Sequence, residues 1–187
     1  VTYTIGAYVP LSMIAHHMPV TNQALSRNDR LRADVDTFLS NALIAKLEAR
    51  VGAALTAAVG TVAQAFDTNV VTTIRCAVGL AQNAFPELGS GPIAVLLSPG
   101  DHATLDLAGV DLASWPARIV SSPAIPAGFA YVGRLGLAVQ LFTSDITVEV
   151  GWINAQFVEN ESTIRANVEA LCVVAAPSAI VKADLTP

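Results

Sequence analysis

The residue types able to do chemistry are few in this chain, and their spacing serves structure better than reaction. His16 and His17 are metal-ligand types, but neighbours on an extended segment point to opposite faces and cannot share one ion. Asp101-His102, with Ser121 or Ser122 as nucleophile, supplies the types of a hydrolytic triad. No Gly-x-Ser-x-Gly elbow accompanies them, and an acid at a helix start is explained by capping. Gly89-Ser90-Gly91 precedes an apolar run instead of joining a strand to a helix, the wrong order for a phosphate loop, and reads as a turn. Asp145, Glu149, Glu159 and Glu161 fall in a β-rich region as solvated strand-face residues, with nothing to pair them for acid–base work. Trp115 and Trp152, beside Pro116 and Gly151, read as core or interface anchors. The expectation is a chain with no catalytic, cofactor-binding or metal-binding residue, and no cofactor.

Charge narrows the partners. Ten basic residues face fifteen acidic ones, a net charge of -5, and Lys46 and Lys182 are the lysines. That is no electrostatic footprint for nucleic acid, and sequence-specific DNA or RNA binding is not expected. Arg27, Arg30 and Arg32 cluster, but Asp29, Asp34 and Asp36 are interleaved, as on a solvated helix start. Charged residues make up 13% of the 187 and hydrophobic ones 53%, which excludes intrinsic disorder and a coiled coil. So thinly charged a surface implies burial against other chains. Cys76 and Cys172 lie far apart in apolar segments and read as two buried free thiols. No run reaches the roughly 20 apolar residues of a membrane span, and no basic leader opens the chain. Without an initiator Met, the chain is expected to be a processed product or a fragment.

The elements that would position these residues follow from periodicity. Val1 to Val20 is β-rich and broken by prolines. From about 28 to 55, Leu31, Val35, Phe38, Leu39, Ala42, Leu43, Leu47 and Val51 recur at helical spacing and predict a long amphipathic helix. Asp67 or Thr68 can cap a second helix to Phe85, with Val71, Ile74, Val78, Ala81 and Phe85 inward. Pro92 to Leu97 predicts a buried strand. Ser98 as cap, Pro99 at the first helical position and Asp101 then predict a short helix to Leu107, ended by Gly109. Ala117–Val120, Ala130–Gly133, Ala138–Thr143 and Ile146–Val150 read as short strands. Ser162–Val174 alternates, with Ile164, Ala166, Val168 and Ala170 inward against Thr163, Arg165, Asn167 and Glu169. Pro177 stops it.

Taken in order, these strings resemble the major capsid protein of tailed bacteriophages, the Hong Kong 97-type fold shared with encapsulins. ITVEV (Ile146 to Val150), FVEN (Phe157 to Asn160), STIRANVEA (Ser162 to Ala170) and APSAIVKA (Ala176 to Ala183) resemble the family's closing sequence of strand, Phe-x-x-Asn turn, long strand and Pro-x-Ala-hydrophobic ending. Pro19 to Leu31 with the helix after it resembles the spine helix. IAVLLSPGDHATL (Ile93 to Leu105) and SWPARIVSSPAIPAGFAYVG (Ser114 to Gly133) resemble parts of the axial domain.

The resemblance implies an α+β capsid fold with a peripheral domain (1–66 and 143–187, spine helix about 28–55) and an axial domain (67–142). The N-terminal arm and the extended loop before the spine helix are expected to be absent. It implies a structural shell subunit, not an enzyme, that tiles with itself as pentamers and hexamers around a DNA genome in a virion, assembled in the bacterial host cytoplasm. Scaffold, portal or decoration proteins are the further partners it implies, and no membrane. In the founding member a lysine on the extended loop forms an isopeptide bond with the asparagine of the Phe-x-x-Asn turn, assisted by a glutamate on the next strand. Asn160 matches the asparagine, the glutamate position falls on Asn167, and no lysine-bearing loop is present, so cross-linking is not expected. The alternatives are an encapsulin-like compartment, a capsid core that folds without closing a shell, and, from another class, a small α+β enzyme or ligand-binding domain.

Overall fold

The 28–55 periodicity becomes α2 (Asp29–Ala57), a helix of 29 residues and so roughly 43 Å long. It belongs to a computed structural model that describes residues 11–27, 29–83, 91–109 and 115–187. The chain divides into two compact units. One takes the chain up to Leu47 with Leu141–Leu171, and the other takes Glu48–Gln140 with Cys172–Pro187.

In the first unit, β1 (Ser12–Thr21) runs antiparallel to β8 (Glu161–Val174), from Ser12 opposite Ala170 to Thr21 opposite Glu161. On the other side of β8 lie β6 (Val139–Thr143) and β7 (Thr147–Gly151), the latter pairing from Thr147–Asn167 to Gly151–Thr163. Alternation along β8 sends Ile164, Ala166 and Val168 against Val35, Leu39 and Leu43 of α2, with Ile14, Met18 and Val20 of β1 beside them. Two small helices complete the unit: α1 (Asn22–Arg27) and α6 (Gln156–Glu159). Two expectations are corrected here. Phe38, assigned to the core face, is 50% exposed, because the sheet covers the stripe of Leu31, Val35, Leu39, Leu43 and Leu47 and Phe38 stands at its edge, beside His16. Thr163 and Asn167, assigned to the polar face of the alternating strand, are buried because side chains from α6 and β7 lie over them.

The second unit is built on a five-stranded sheet ordered β2-β9-β5-β3-β4, with β2 (Val62–Gln64), β3 (Ala94–Leu97), β4 (Arg118–Ser121), β5 (Phe129–Gly133) and β9 (Ile180–Asp184). β3 is an interior strand and continuously apolar, as a strand covered on both faces should be. Ile74, Ala77, Val78 and Ala81 of α3 (Val70–Asn83) and Leu105 of α4 (Pro99–Leu107) pack with Val95, Leu97, Ala130, Val132, Val181 and Ala183. Leu55 of α2 packs with Tyr131, Ile125, Ala138, Ala179 and Ile180, beside the short α5 (Leu135–Ala138).

The start of α4 is as expected: Ser98 Oγ accepts from Asp101 N at 3.2 Å, Pro99 opens the helix, and Gly109 at φ +69° leaves it. The cap of α3 differs. Asn69 Oδ1 accepts from Thr72 N at 2.8 Å, so the cap is Asn69 and not Asp67 or Thr68. Asp67 instead holds the turn through Thr73, whose hydroxyl accepts from Asp67 N and donates to the carbonyls of Asp67 and Asn69. Phe85 and Gly89-Ser90 lie outside the described residues. The cysteines are free, but they are not two buried thiols: Cys76 is exposed, off the Ile74–Val78 stripe, and Cys172 is half-buried. Burial raises the Cys172 thiol pKa, opposed by the charge of Arg50. Among the described residues no helix is long and apolar enough to cross a membrane.

Candidate interaction surface

β7 and the turn through α6 carry the feature that needs a function. Of the seventeen large hydrophobic side chains exposed among the described residues, nine lie between Leu141 and Val158. Trp152 is 62% exposed, Phe157 74% and Val158 86%. The cause is topological. β7 pairs with β8 alone, Val148 and Val150 stand opposite Ala166 and Ile164, and the core stripe of α2 ends at those β8 residues without reaching β7.

This turn is rigidly built. Asn160 closes α6 in the left-handed region at φ +58°. Asn22, at the start of α1, donates from its backbone N–H to the Asn160 carbonyl at 3.0 Å and from Nδ2 to Asn160 Oδ1 at 3.1 Å. Ser162 Oγ donates to Asn22 Oδ1 at 2.6 Å. Gln156 Oε1 accepts from Ile153 N and from Thr163 Oγ1, both at 2.9 Å. The rings of Trp152 and Phe157 meet edge to face at 5.5 Å. Below the turn, on the sheet face away from α2, a groove of about 500 Å³ is lined by Ala15, His17, Glu149, Trp152 and Arg165 among others. Arg165 Nη2 donates to Glu149 Oε2 at 2.6 Å, an exposed pair of the kind worth about 0–1 kcal/mol.

The residues singled out for chemistry are dispersed or occupied. His17 faces this groove, whereas His16 lies on the α2 side, its ring 5.8 Å from that of Phe38. Asp101 Oδ2 accepts from Ser98 Oγ at 2.7 Å and from Gly128 N at 3.0 Å, so it ties the α4 start to the loop before β5. His102 N donates to the Ser98 carbonyl as the next turn of that helix. Ser121 ends β4, and Ser122 Oγ accepts from Ala124 N. Glu149 is in the ion pair; Asp145 and Glu159 are exposed and Glu161 half-buried. Arg30, Asp34 and Asp36 are exposed along α2. Trp115 is half-buried against the core, with the Arg75 guanidinium 5.6 Å above its ring. Asn167 is buried, and its Oδ1 accepts from Thr147 Oγ1. The sequence gives Trp152 as a core or interface anchor and Ile146–Val150 as a short strand, but does not mark the segment as an exposed apolar patch. The available signal was charge: no Lys, Arg or His stands between Arg134 and Arg165.

No protein-family model and no curated protein matches the sequence. Solved structures do. A virus-like particle protein from Pyrococcus furiosus superposes with a TM-score of 0.74 at 15% identity, over 94% of this chain and 77% of that one. A chain of Mycobacterium phage Che8 gives 0.70 at 15%, over 91% and 70%. A chain of the holo-SrpI encapsulin complex from Synechococcus elongatus gives 0.62 at 12%, over 95% and 75%. The fold is the Hong Kong 97-type capsid fold. At such identities the likeness lies in backbone topology, and the fold expected from the order of the sequence strings is the one present. In Hong Kong 97-type terms α2 is the spine helix, and β7, the Asn160 turn and β8 are the ITVEV, FVEN and STIRANVEA strings.

Proposed function

We infer that the chain is a structural subunit of a closed icosahedral shell, of the kind that encloses the DNA genome of a tailed phage or prophage, built by lateral contact of each copy with its neighbours. The observation that carries this is the exposed apolar turn on a capsid-type fold: Trp152, Phe157 and Val158 are held in place yet left uncovered. An apolar surface of that kind marks an interaction site. A shell repeats one modest contact many times, so no single contact needs to be strong. The reading is of a non-enzymatic protein, since Asp101, Ser122, Glu149 and Asn167 each spend their polar groups on local structure.

The peripheral domain of such a subunit corresponds to about 1–66 and 143–187 and the axial domain to about 67–142, with β9 contributing to the sheet that contains β3 and β5. Pentamers and hexamers are the expected tiles, the virion the expected location with assembly in the host cytoplasm, and scaffold, portal or decoration proteins the expected further partners. The likeness to an encapsulin over 95% of the chain supports a second reading, a compartment that encloses protein cargo. Negative-stain electron microscopy with light scattering tests the main reading. Spherical particles, or rings of five or six, are expected, and a monodisperse monomer at all concentrations would overturn it. Copurification of an enzyme inside the particles would select the second reading.

A further inference from the structure

Arg75, Val78, Gly79 and Gln82 are spaced at three, four and seven positions along α3 and so share one face of the helix. With Trp115 and Pro116 they line a cavity of about 300 Å³ in the second unit, at the small end of the range for ligand pockets. Gly79 lies inside a helix, where glycine is a costly residue, and a Cβ there would meet nothing within 4 Å. No packing contact calls for the glycine, and its lack of a side chain leaves the space over the helix backbone open.

The polar groups around that space are uncommitted. The Arg75 guanidinium lies 5.6 Å over the Trp115 ring, and among the described residues it forms no ion pair. A guanidinium held on an aromatic face keeps its N–H edges free for a carboxylate, and holding the fork before contact lowers the ordering cost of binding. The Gln82 carboxamide, likewise without a hydrogen bond among the described residues, stands seven residues and about 10 Å further along the helix axis. Trp115 Nε1 is enclosed, so the half-buried indole shows the cavity ring carbon, and with Val78 and Pro116 it makes the middle apolar. An anion site, an apolar middle and an amide partner thus follow one another along a single helix face. A phosphate would satisfy Arg75 but leave the apolar middle unfilled. We propose that this cavity binds an N-acylated apolar amino acid, either free or as the last residue of another protein's chain. Its carboxylate would meet Arg75, its amide Gln82, and its side chain the open space over Gly79. The proposal does not depend on the shell reading.

The test is a ligand-observed saturation-transfer titration, which reads particles and free subunits alike, with N-acetyl-leucine as probe and uncharged N-acetyl-leucinamide as control. Saturable binding of the acid is expected, at least tenfold tighter than that of the amide. Arg75→Gln should weaken it at least tenfold, and so should Gly79→Leu, whose side chain enters the cavity. Because that space is empty, the thermal midpoint of Gly79→Leu should not fall, which separates loss of the site from loss of the fold. Absence of saturable binding, equal binding of acid and amide, or undiminished binding by Arg75→Gln would each overturn the proposal. An acetylated hexapeptide ending in leucine separates the two sources of the ligand. Binding at least tenfold tighter than that of N-acetyl-leucine supports a protein chain end, and equal binding supports the free acid.

Discussion

Trp115 Nε1 is the one buried side-chain nitrogen or oxygen without a partner among the described residues. A buried, unpaired donor costs about 1–3 kcal/mol. The ring still packs on the core of α3 and β3 and lies under Arg75. Trp115→Phe removes the N–H with part of the ring, so loss and gain offset, and the unfolding free energy should stay within about 1 kcal/mol of wild type or rise. Trp115→Ala discards the packing and should cost toward the low end of the roughly 3–5 kcal/mol seen for core aromatics. Urea denaturation of the three proteins checks both. Asp184 supplies a pH signature. Thr186 donates its hydroxyl at 2.6 Å and its N–H at 3.0 Å to Asp184 Oδ1, and these hydrogen bonds, with Lys182 a lesser cause, hold the carboxyl below its usual range. A folded value below the unfolded one means that the stabilisation is present above the unfolded value, about 3.9, and is lost as pH falls through the folded one. The stability difference between wild type and Asp184→Asn should therefore shrink as pH drops below about 4, followed by denaturation midpoints across that range.

At the level of elements, two helical glycines make opposite predictions. A Cβ on Gly52 of α2 would run into the Ala124 carbonyl oxygen, whereas one on Gly79 of α3 meets nothing within 4 Å. Gly→Ala in a helix gains up to about 1 kcal/mol from propensity. Gly79→Ala should show that gain. Gly52→Ala should instead lose about 1–3 kcal/mol, because helix and loop must part to admit the methyl group. Opposite shifts of the two thermal midpoints are the expected result. The same distinction separates what was legible in the sequence from what was not. The long helix and α4 were legible because 3.6-residue periodicity and the Ser98-Pro99-Asp101 start are local signals. β2, with three residues, was not, since its place is set by pairing with β9, more than a hundred positions away. Nor does the APSAIVKA string carry a local sign that its end is β9, the strand joining β2 to β5. Ile146 to Val150 was legible as a strand but not as an exposed one. Alternation reports which residues are apolar, whereas exposure depends on whether another element reaches them.

For the whole molecule, on the shell reading, the decisive question is what would hold copies together. The covalent solution needs a neutral lysine amine to attack an asparagine carboxamide with a carboxylate to accept the proton, and ammonia leaves. Here Asn160 has its Oδ1 engaged by Asn22, and the position expected to hold the carboxylate is Asn167, an amide with no basicity to offer, already bonded to Thr147. The lysines of the sequence are Lys46, whose Nζ donates to the Ala15 carbonyl, and Lys182 of β9, whose Nζ lies 4.5 Å from the centre of the Phe129 ring in β5. Assemblies of this chain should therefore be non-covalent throughout. On a reducing, fully denaturing gel, and by intact mass, particles should resolve to a single subunit, and a ladder of multiples would refute this. The stability of a shell would then rest on apolar burial at contacts such as the β7–α6 turn. That stabilisation is largely entropic near room temperature and weakens on cooling. Particles held only in this way should lose subunits when chilled and regain them on warming, a reversibility that an isopeptide-linked lattice cannot show, and light scattering through one temperature cycle would reveal it.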